Sequence, residues 1–249
     1  MFTDTHCHVL SNEYNNYRDI IHNLKKNNIK RIIINGYNLA SNKEVIKLAN
    51  KYPNVYGALG LHPNYIEDNN DDAINFIKNN LNNKKIIAIG EIGLDYYRNK
   101  ENKKQQLKIF NLLLSIAENN SLPVIIHNRE ATEDLIKTLK KYKLKGIIHS
   151  FSGSYETAVK LINLGFKLGI NGIVTFKNTN LRRTLKKLKI SNILIETDSP
   201  YLSPEPLRGT KNEPKNLVYI ASILAEIYDI NLDNLAKYLE KNFTDIFDI

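Results

Sequence analysis

A (β/α)8 barrel is the fold this sequence predicts, and three observations predict it. Eight short apolar runs recur along the chain, each followed by a segment of helical periodicity. The runs are continuously apolar rather than alternating, as strands buried on both faces of a parallel sheet must be. At 249 residues the chain also has the usual size of one such barrel.

In chain order, strands are expected near Phe2 to Thr5, Arg31 to Gly36, Val55 to Leu61, Ile86 to Glu91, Val124 to His127, Gly146 to His149, Phe166 to Ile170 and Ile193 to Glu196. Helices are expected between them near Tyr17 to Asn27, Asn42 to Lys51, Asp71 to Leu81, Lys103 to Asn119, Glu130 to Tyr142, Tyr155 to Asn163 and Leu181 to Leu188. A Pro-rich loop from Ser199 to Pro214 then leads to two more helices near Leu217 to Tyr228 and Leu232 to Asn242. No linker, low-complexity tail or strong repeat divides the chain, so residues 1–249 are expected to form one domain. The competing arrangement is an open doubly wound sheet, which calls for a Gly-rich phosphate loop after the first strand. Thr5-His6-Cys7-His8 stands there instead.

With 42% hydrophobic residues there is ample material for a core. No stretch approaches the roughly 18 to 20 apolar residues of a membrane span, and no basic and then apolar leader opens the chain. The expectation is a soluble, cytoplasmic protein with no membrane contact and no obligate protein partner. The lone Cys7 excludes an internal disulfide framework and fits a reducing compartment. A net charge of +9 suits a polyanionic partner such as nucleic acid. The chain is nonetheless rich in Lys, Asn and Ile throughout, as in Asn79-Asn80 and Asn119-Asn120, and such a bias yields a basic surface without any partner.

Polar residues at the ends of the apolar runs carry the chemistry. His6 and His8, two apart at the end of the first strand, share a face roughly 6 to 7 Å apart along the strand, which one cation can bridge through two imidazoles. Cys7 between them points the other way, into packing. Glu91 closes Ile86-Ile87-Ala88-Ile89-Gly90, where a carboxylate is costly without a charged partner, and its two oxygens can serve two cations. His127 and His149 end two further runs, and Asp198 follows the last, placed to ligate a metal or accept a proton from water. Glu196, of the same parity as Asp198, is expected one layer deeper, behind the ligands. In a barrel all these strand ends meet at the C-terminal face. A mixed His and carboxylate set suits Zn²⁺, Mn²⁺ or Mg²⁺.

Seven motifs in order then resemble the TatD-type metal-dependent deoxyribonucleases of the amidohydrolase superfamily. They are Asp4-Thr5-His6-Cys7-His8, Gly60-Leu61-His62-Pro63, Gly90-Glu91-Ile92-Gly93-Leu94-Asp95-Tyr96, His127, His149-Ser150-Phe151-Ser152-Gly153, Glu196-Thr197-Asp198-Ser199-Pro200-Tyr201-Leu202 and Arg208-Gly209-Thr210-Lys211-Asn212-Glu213-Pro214. The resemblance implies two divalent ions per chain, with His6, His8 and Asp198 around one, His127 and His149 around the other, and Glu91 between them. It also implies that His62 lies near the substrate phosphate. Val9-Leu10 replaces the Leu-Asp pair that often follows the first motif, a departure that spares every ligand.

The function expected from this set is hydrolysis of DNA phosphodiester bonds near a strand end by a metal-activated water, with Asp198 handling the proton. His62, Arg208 and Arg129 are the candidate phosphate grips, and Tyr96, Tyr97, Phe151 and Tyr201 are candidates to stack unpaired bases. The same metal chemistry serves a carboxylic ester or amide hydrolase, such as an aminoacyl-tRNA deacylase, and the ligands alone do not separate the two. A nucleic-acid or metal binding protein without turnover is the reading from another class. The presence of all six ligands argues against it.

Overall fold

The computed structural model describes residues 1–67, 70–98 and 100–249. Eight parallel strands follow one another around a single sheet in chain order: β1 (Phe2–Cys7), β2 (Ile29–Asn35), β3 (Val55–Leu59), β4 (Ile86–Asp95), β5 (Val124–Arg129), β6 (Gly146–Ile148), β7 (Phe166–Ile170) and β8 (Ile193–Ile195). Between them run α1 (Tyr17–His22), α2 (Leu39–Lys51), α3 (Asp71–Asn79), α4 (Lys103–Asn119), α5 (Thr132–Leu139), α6 (Tyr155–Asn163) and α7 (Leu181–Leu185). After β8 come α8 (Leu217–Tyr228) and α9 (Leu232–Phe247). This is the barrel expected from the sequence, and the open sheet is set aside by how β1 meets the end of β8. His8 N donates to Ser199 O at 2.7 Å, Asp198 N to His6 O at 2.9 Å and the Thr5 hydroxyl to Ile195 O at 2.9 Å.

The strands form where β-branched residues accumulate, as in Ile32-Ile33-Ile34, because such side chains pack well on a pleated surface. Alternation then sorts them. Ile33, Ala58, Ile87, Ile125, Ile147 and Leu194 gather into one buried cluster with Phe243, Ile246 and Phe247 of α9. Ile32 and Ile34 join the larger core shared with the helices. Helix α9 lies at the strand starts, where Glu240 pairs with Lys30 and Arg31 at 2.6 and 2.7 Å and Lys145 donates to Asp245 O at 3.1 Å. It therefore closes the end of the barrel opposite the strand C-termini.

Most boundaries shift by a few residues from the sequence reading, and three of the shifts have a definite physical reason. Helix α1 stops at His22, and its last turn tightens into a 3-10 segment, Lys25–Asn27, ended by Asn28 at φ 64°. Helix α9 continues past Asn242 because Phe243, Ile246 and Phe247 fill the barrel floor. Strand β4 does not end at Glu91: a register shift between Ile89 and Ile92 lets it run on beside β5 to Asp95, paired with Arg129. That extension brings a second carboxylate to the strand ends. Among the described residues no helix is long and apolar enough to cross a membrane.

Candidate metal centre

Five of the chain's six histidines surround one carboxylate at the C-terminal ends of the strands. The two oxygens of Glu91 face different partners. Oε2 lies 3.5 Å from His6 Nε2 and 3.4 Å from His8 Nε2. Oε1 lies 3.0 Å from His127 Nδ1, 2.9 Å from His149 Nε2 and 3.4 Å from His62 Nε2. Asp198 Oδ1 joins the first group, 3.5 Å from His6 and 3.8 Å from His8. His62 is thus nearer the cluster than a role at the substrate alone requires, and with Glu91 and His127 it makes a third group of converging donors.

The spacing of the donors fits a cation better than it fits hydrogen bonding. A divalent ion about 2.1 Å from four tetrahedral ligands sets them roughly 3.4 Å apart. The separations among His6, His8, Glu91 Oε2 and Asp198 Oδ1 scatter around that figure, with the two Nε2 atoms 3.2 Å apart. Imidazole nitrogens of His6 and His8 opposed in a buried place, beside two carboxylate oxygens, are the arrangement a metal site requires. The residues present therefore fit a divalent metal ion.

The backing atoms orient the rings. His8 Nδ1 contacts Asn35 O at 2.9 Å, and His127 Nε2 contacts Asp95 Oδ2 at 3.3 Å, each fixing which nitrogen faces the cluster. Glu196 is fully buried behind His149, its Oε1 3.5 Å from His149 Nδ1 and accepting from Ser150 N at 2.6 Å. Gly169 makes room for it, since a Cβ there would fall on the Glu196 carboxylate. Gly60 likewise lets the end of β3 press against the Glu91 backbone. Asp198 sits beyond β8 at φ 55°, a conformation Asp tolerates better than most residues, and Tyr201 N closes the turn on its carbonyl at 2.8 Å. The fully buried Asp4 carboxylate accepts from Thr197 N at 2.9 Å, from the Thr197 hydroxyl at 2.5 Å and from His6 N at 3.3 Å, and so ties the Asp198 loop to β1.

The charges follow from this crowding. Burial opposes ionisation of Glu91, yet His149, His62 and His6 outweigh it and hold the carboxyl well below the usual range. Burial raises Asp198 to about 6 against the pull of His149 and His8. Burial also keeps His62 neutral, its pKa lowered to about 3. His149 moves the other way, because Glu91 and Glu196 overcome its desolvation. A divalent ion would replace such protons.

A cleft of about 800 Å³ opens above the cluster, lined by His8, His62, Glu91, His127, His149 and Asp198 among others. Arg129 lines it as expected, its guanidinium 4.0 Å over the Tyr97 ring. Arg208 does not: it is exposed and lies 4.3 Å over Phe176. Arg98 lines the cleft instead. Of the aromatic candidates, Tyr201 and Tyr97 are exposed, whereas Phe151 is buried and Tyr96 is buried with its hydroxyl on Asp134 at 2.8 Å. The sequence reading missed Asp95, Asn64, Tyr37, Tyr65 and Arg98. For Asp95 a signal existed, because the apolar Ile92 and Leu94 continue the strand beyond Glu91.

Residues 3–248 match the TatD related DNase family. The chain is 38% identical over 99% of its length to an uncharacterized metal-dependent hydrolase of Buchnera aphidicola from Acyrthosiphon pisum, covering 98% of that protein. It is 34% identical to the uncharacterized metal-dependent hydrolase YabD of Bacillus subtilis, with both chains fully covered. Among solved structures, the TatD homologue YjjV of Escherichia coli superposes with a TM-score of 0.92 at 28% identity, covering 100% of this chain and 98% of that one. A TatD family hydrolase from Entamoeba histolytica gives 0.85 at 26% identity over 99% and 97% of the two chains.

Proposed function

The chain belongs to the TatD related DNase family, and from that membership together with the centre around Glu91 we infer that it is a divalent-metal-dependent hydrolase cleaving phosphodiester bonds of DNA near a strand end. The observation that carries the reading is the division of Glu91: each carboxylate oxygen faces its own set of imidazoles. His6, His8 and Asp198 would hold one ion, His127 and His149 the other, with His62 beside the second and Glu91 shared. Zn²⁺, Mn²⁺ and Mg²⁺ all suit this donor set. Bound there, such ions lower the pKa of water and polarise a phosphoryl oxygen.

The chain's own groups do the rest. Asp198 stands at the cleft beside His6 and His8, placed to take a proton from an attacking water. Arg98, in the loop after β4, and Arg129, at the end of β5, line the cleft and would neutralise phosphate oxygens. Asp95 holds the His127 ring, and Asp4 holds the loop that carries Asp198. The burial of His6, His8, Glu91 and His149 at the floor of the cleft strengthens each of these interactions.

The test is to purify the protein and measure bound metal. Mg²⁺- and Mn²⁺-supported cleavage of end-labelled single- and double-stranded DNA is then compared for wild type, Asp198→Ala and Glu91→Ala. Cleavage by wild type alone supports the reading. Intact DNA in every case, with turnover of a carboxylic ester or aminoacyl-tRNA by wild type, would replace it by an ester hydrolase.

A further inference from the structure

The walls of the cleft differ in chemistry from one side to the other. Strands β8, β1, β2 and β3 are consecutive around the barrel, and the loops after β8, β2 and β3 carry Tyr201, Tyr37 and Tyr65. These rings form a continuous run. Tyr65 meets Tyr37 at 4.8 Å between centroids, Tyr37 meets His8 at 5.6 Å, and His8 meets Tyr201 at 6.3 Å. Tyr37 is the buried backing of this wall, its hydroxyl held by Asn12 Nδ2 at 2.7 Å. Tyr65 and Tyr201 are 46% and 54% exposed, so each offers a free aromatic face beside the candidate ligands. Tyr201 is held by its backbone, its N–H on Asp198 O and its carbonyl on Asn212 Nδ2. The adjoining arc, after β4 and at the end of β5, carries Arg98 and Arg129 instead.

We propose that this division is a reading frame for a nucleic-acid end: the terminal base stacks on the Tyr65 and Tyr201 wall, and the strand leaves across Arg98 and Arg129. The proposal rests on the phosphodiester reading above and adds to it the residues that recognise the end. Every base has a π-face, so an aromatic wall selects the presence of an unpaired base without selecting its identity. Guanidinium groups select phosphate regardless of what the sugar carries. The two walls therefore make separable predictions. Removing a ring lowers the preference for a base, whereas removing an Arg lowers affinity for any strand and its dependence on salt.

The experiment uses two short fluorescent oligothymidylates, one natural and one with abasic residues at both ends. Cleavage is followed with Mn²⁺, and equilibrium binding by anisotropy with enough chelator to stop turnover. Wild type is expected to favour the natural strand by about 10-fold or more, the scale of one stacked base. Tyr65→Ala with Tyr201→Ala should erase that ratio with an unchanged salt slope, and the two Phe substitutions should keep it. Arg98→Ala and Arg129→Ala should each preserve the ratio and lower the salt slope by about 0.7. A wild type indifferent to the terminal base, or a double Ala variant with the wild-type ratio, overturns the proposal. Selective binding lost in the Tyr variants, without cleavage by wild type, would keep the wall and remove the nuclease reading. Absence of both binding and cleavage would remove the two together.

Discussion

Asp4 offers the sharpest test of how the barrel positions its centre. Its carboxylate is fully buried and accepts from two backbone N–H groups, those of Thr197 and His6, and from the Thr197 hydroxyl. Asp4→Ala leaves these donors buried without an acceptor. Each such donor costs about 1–3 kcal/mol. With the His6 contact long at 3.3 Å and counted at the low end, the loss is about 3 kcal/mol. For a chain of 249 residues that lowers Tm by roughly 6–12 °C. Asp4→Asn keeps an oxygen for the two N–H groups and offers its amide to the Thr197 hydroxyl, so it should stay close to wild type at pH 5. Wild type and Asp4→Asn should diverge as pH rises. Burial raises the Asp4 pKa from the ordinary 3.8 to about 7, so the folded state holds this proton longer than the unfolded one does. Between pH 4 and 7 the folded state binds more protons, and this group's contribution to stability falls as pH rises. Asn carries no such titration and should gain on wild type by as much as about 4 kcal/mol by pH 8. Thermal unfolding of metal-free protein at pH 5 and pH 8 measures both effects. The reasoning is refuted by an Asp4→Ala Tm within about 2 °C of wild type at pH 5, roughly half a kcal/mol, or by an Asp4→Asn difference that does not change with pH.

Three other expectations follow from the same geometry. Mn²⁺ or Zn²⁺ at about 100 times its Kd should stabilise wild type by about 2.7 kcal/mol, or roughly 5–10 °C in Tm; Glu91→Gln should lose most of this shift, and a variant still binding two equivalents would end the bridging role. Asp95→Asn should weaken one of the two ion positions about 10- to 100-fold by loosening His127, leaving the His6 and His8 position intact in a calorimetric titration. Equal weakening of both positions would contradict it. Phe243→Ala should cost about 3–5 kcal/mol in chemical denaturation, because its ring is wholly buried in the barrel floor beneath Arg31.

Most of the architecture is legible in the sequence because burial on two faces forces continuous apolar runs, and their count and spacing identify the barrel. The boundaries of β7, α4, α6 and α8 can be read directly, since apolar periodicity starts and stops at those residues. The ligand candidates are legible for the same reason: a His or carboxylate that closes an apolar run has no inexpensive role there. What fails is local inference wherever a distant contact decides the outcome. Strand β4 outruns Glu91 because β5 pairs with it, and α9 outruns Asn242 because the barrel floor needs its aromatic rings.

The sequence by itself thus determines the fold class, the strand ends that carry His6, His8, Glu91, His127, His149 and Asp198, and the kind of chemistry those residues suit. Only the tertiary structure decides which oxygen of Glu91 faces which imidazole, that Asp95 backs His127, and that Arg98 rather than Arg208 reaches the cleft. The physical reason is closure. Residues from eight strands become neighbours only when β8 returns to β1, and their mutual distances belong to the ring of strands rather than to any segment of the chain.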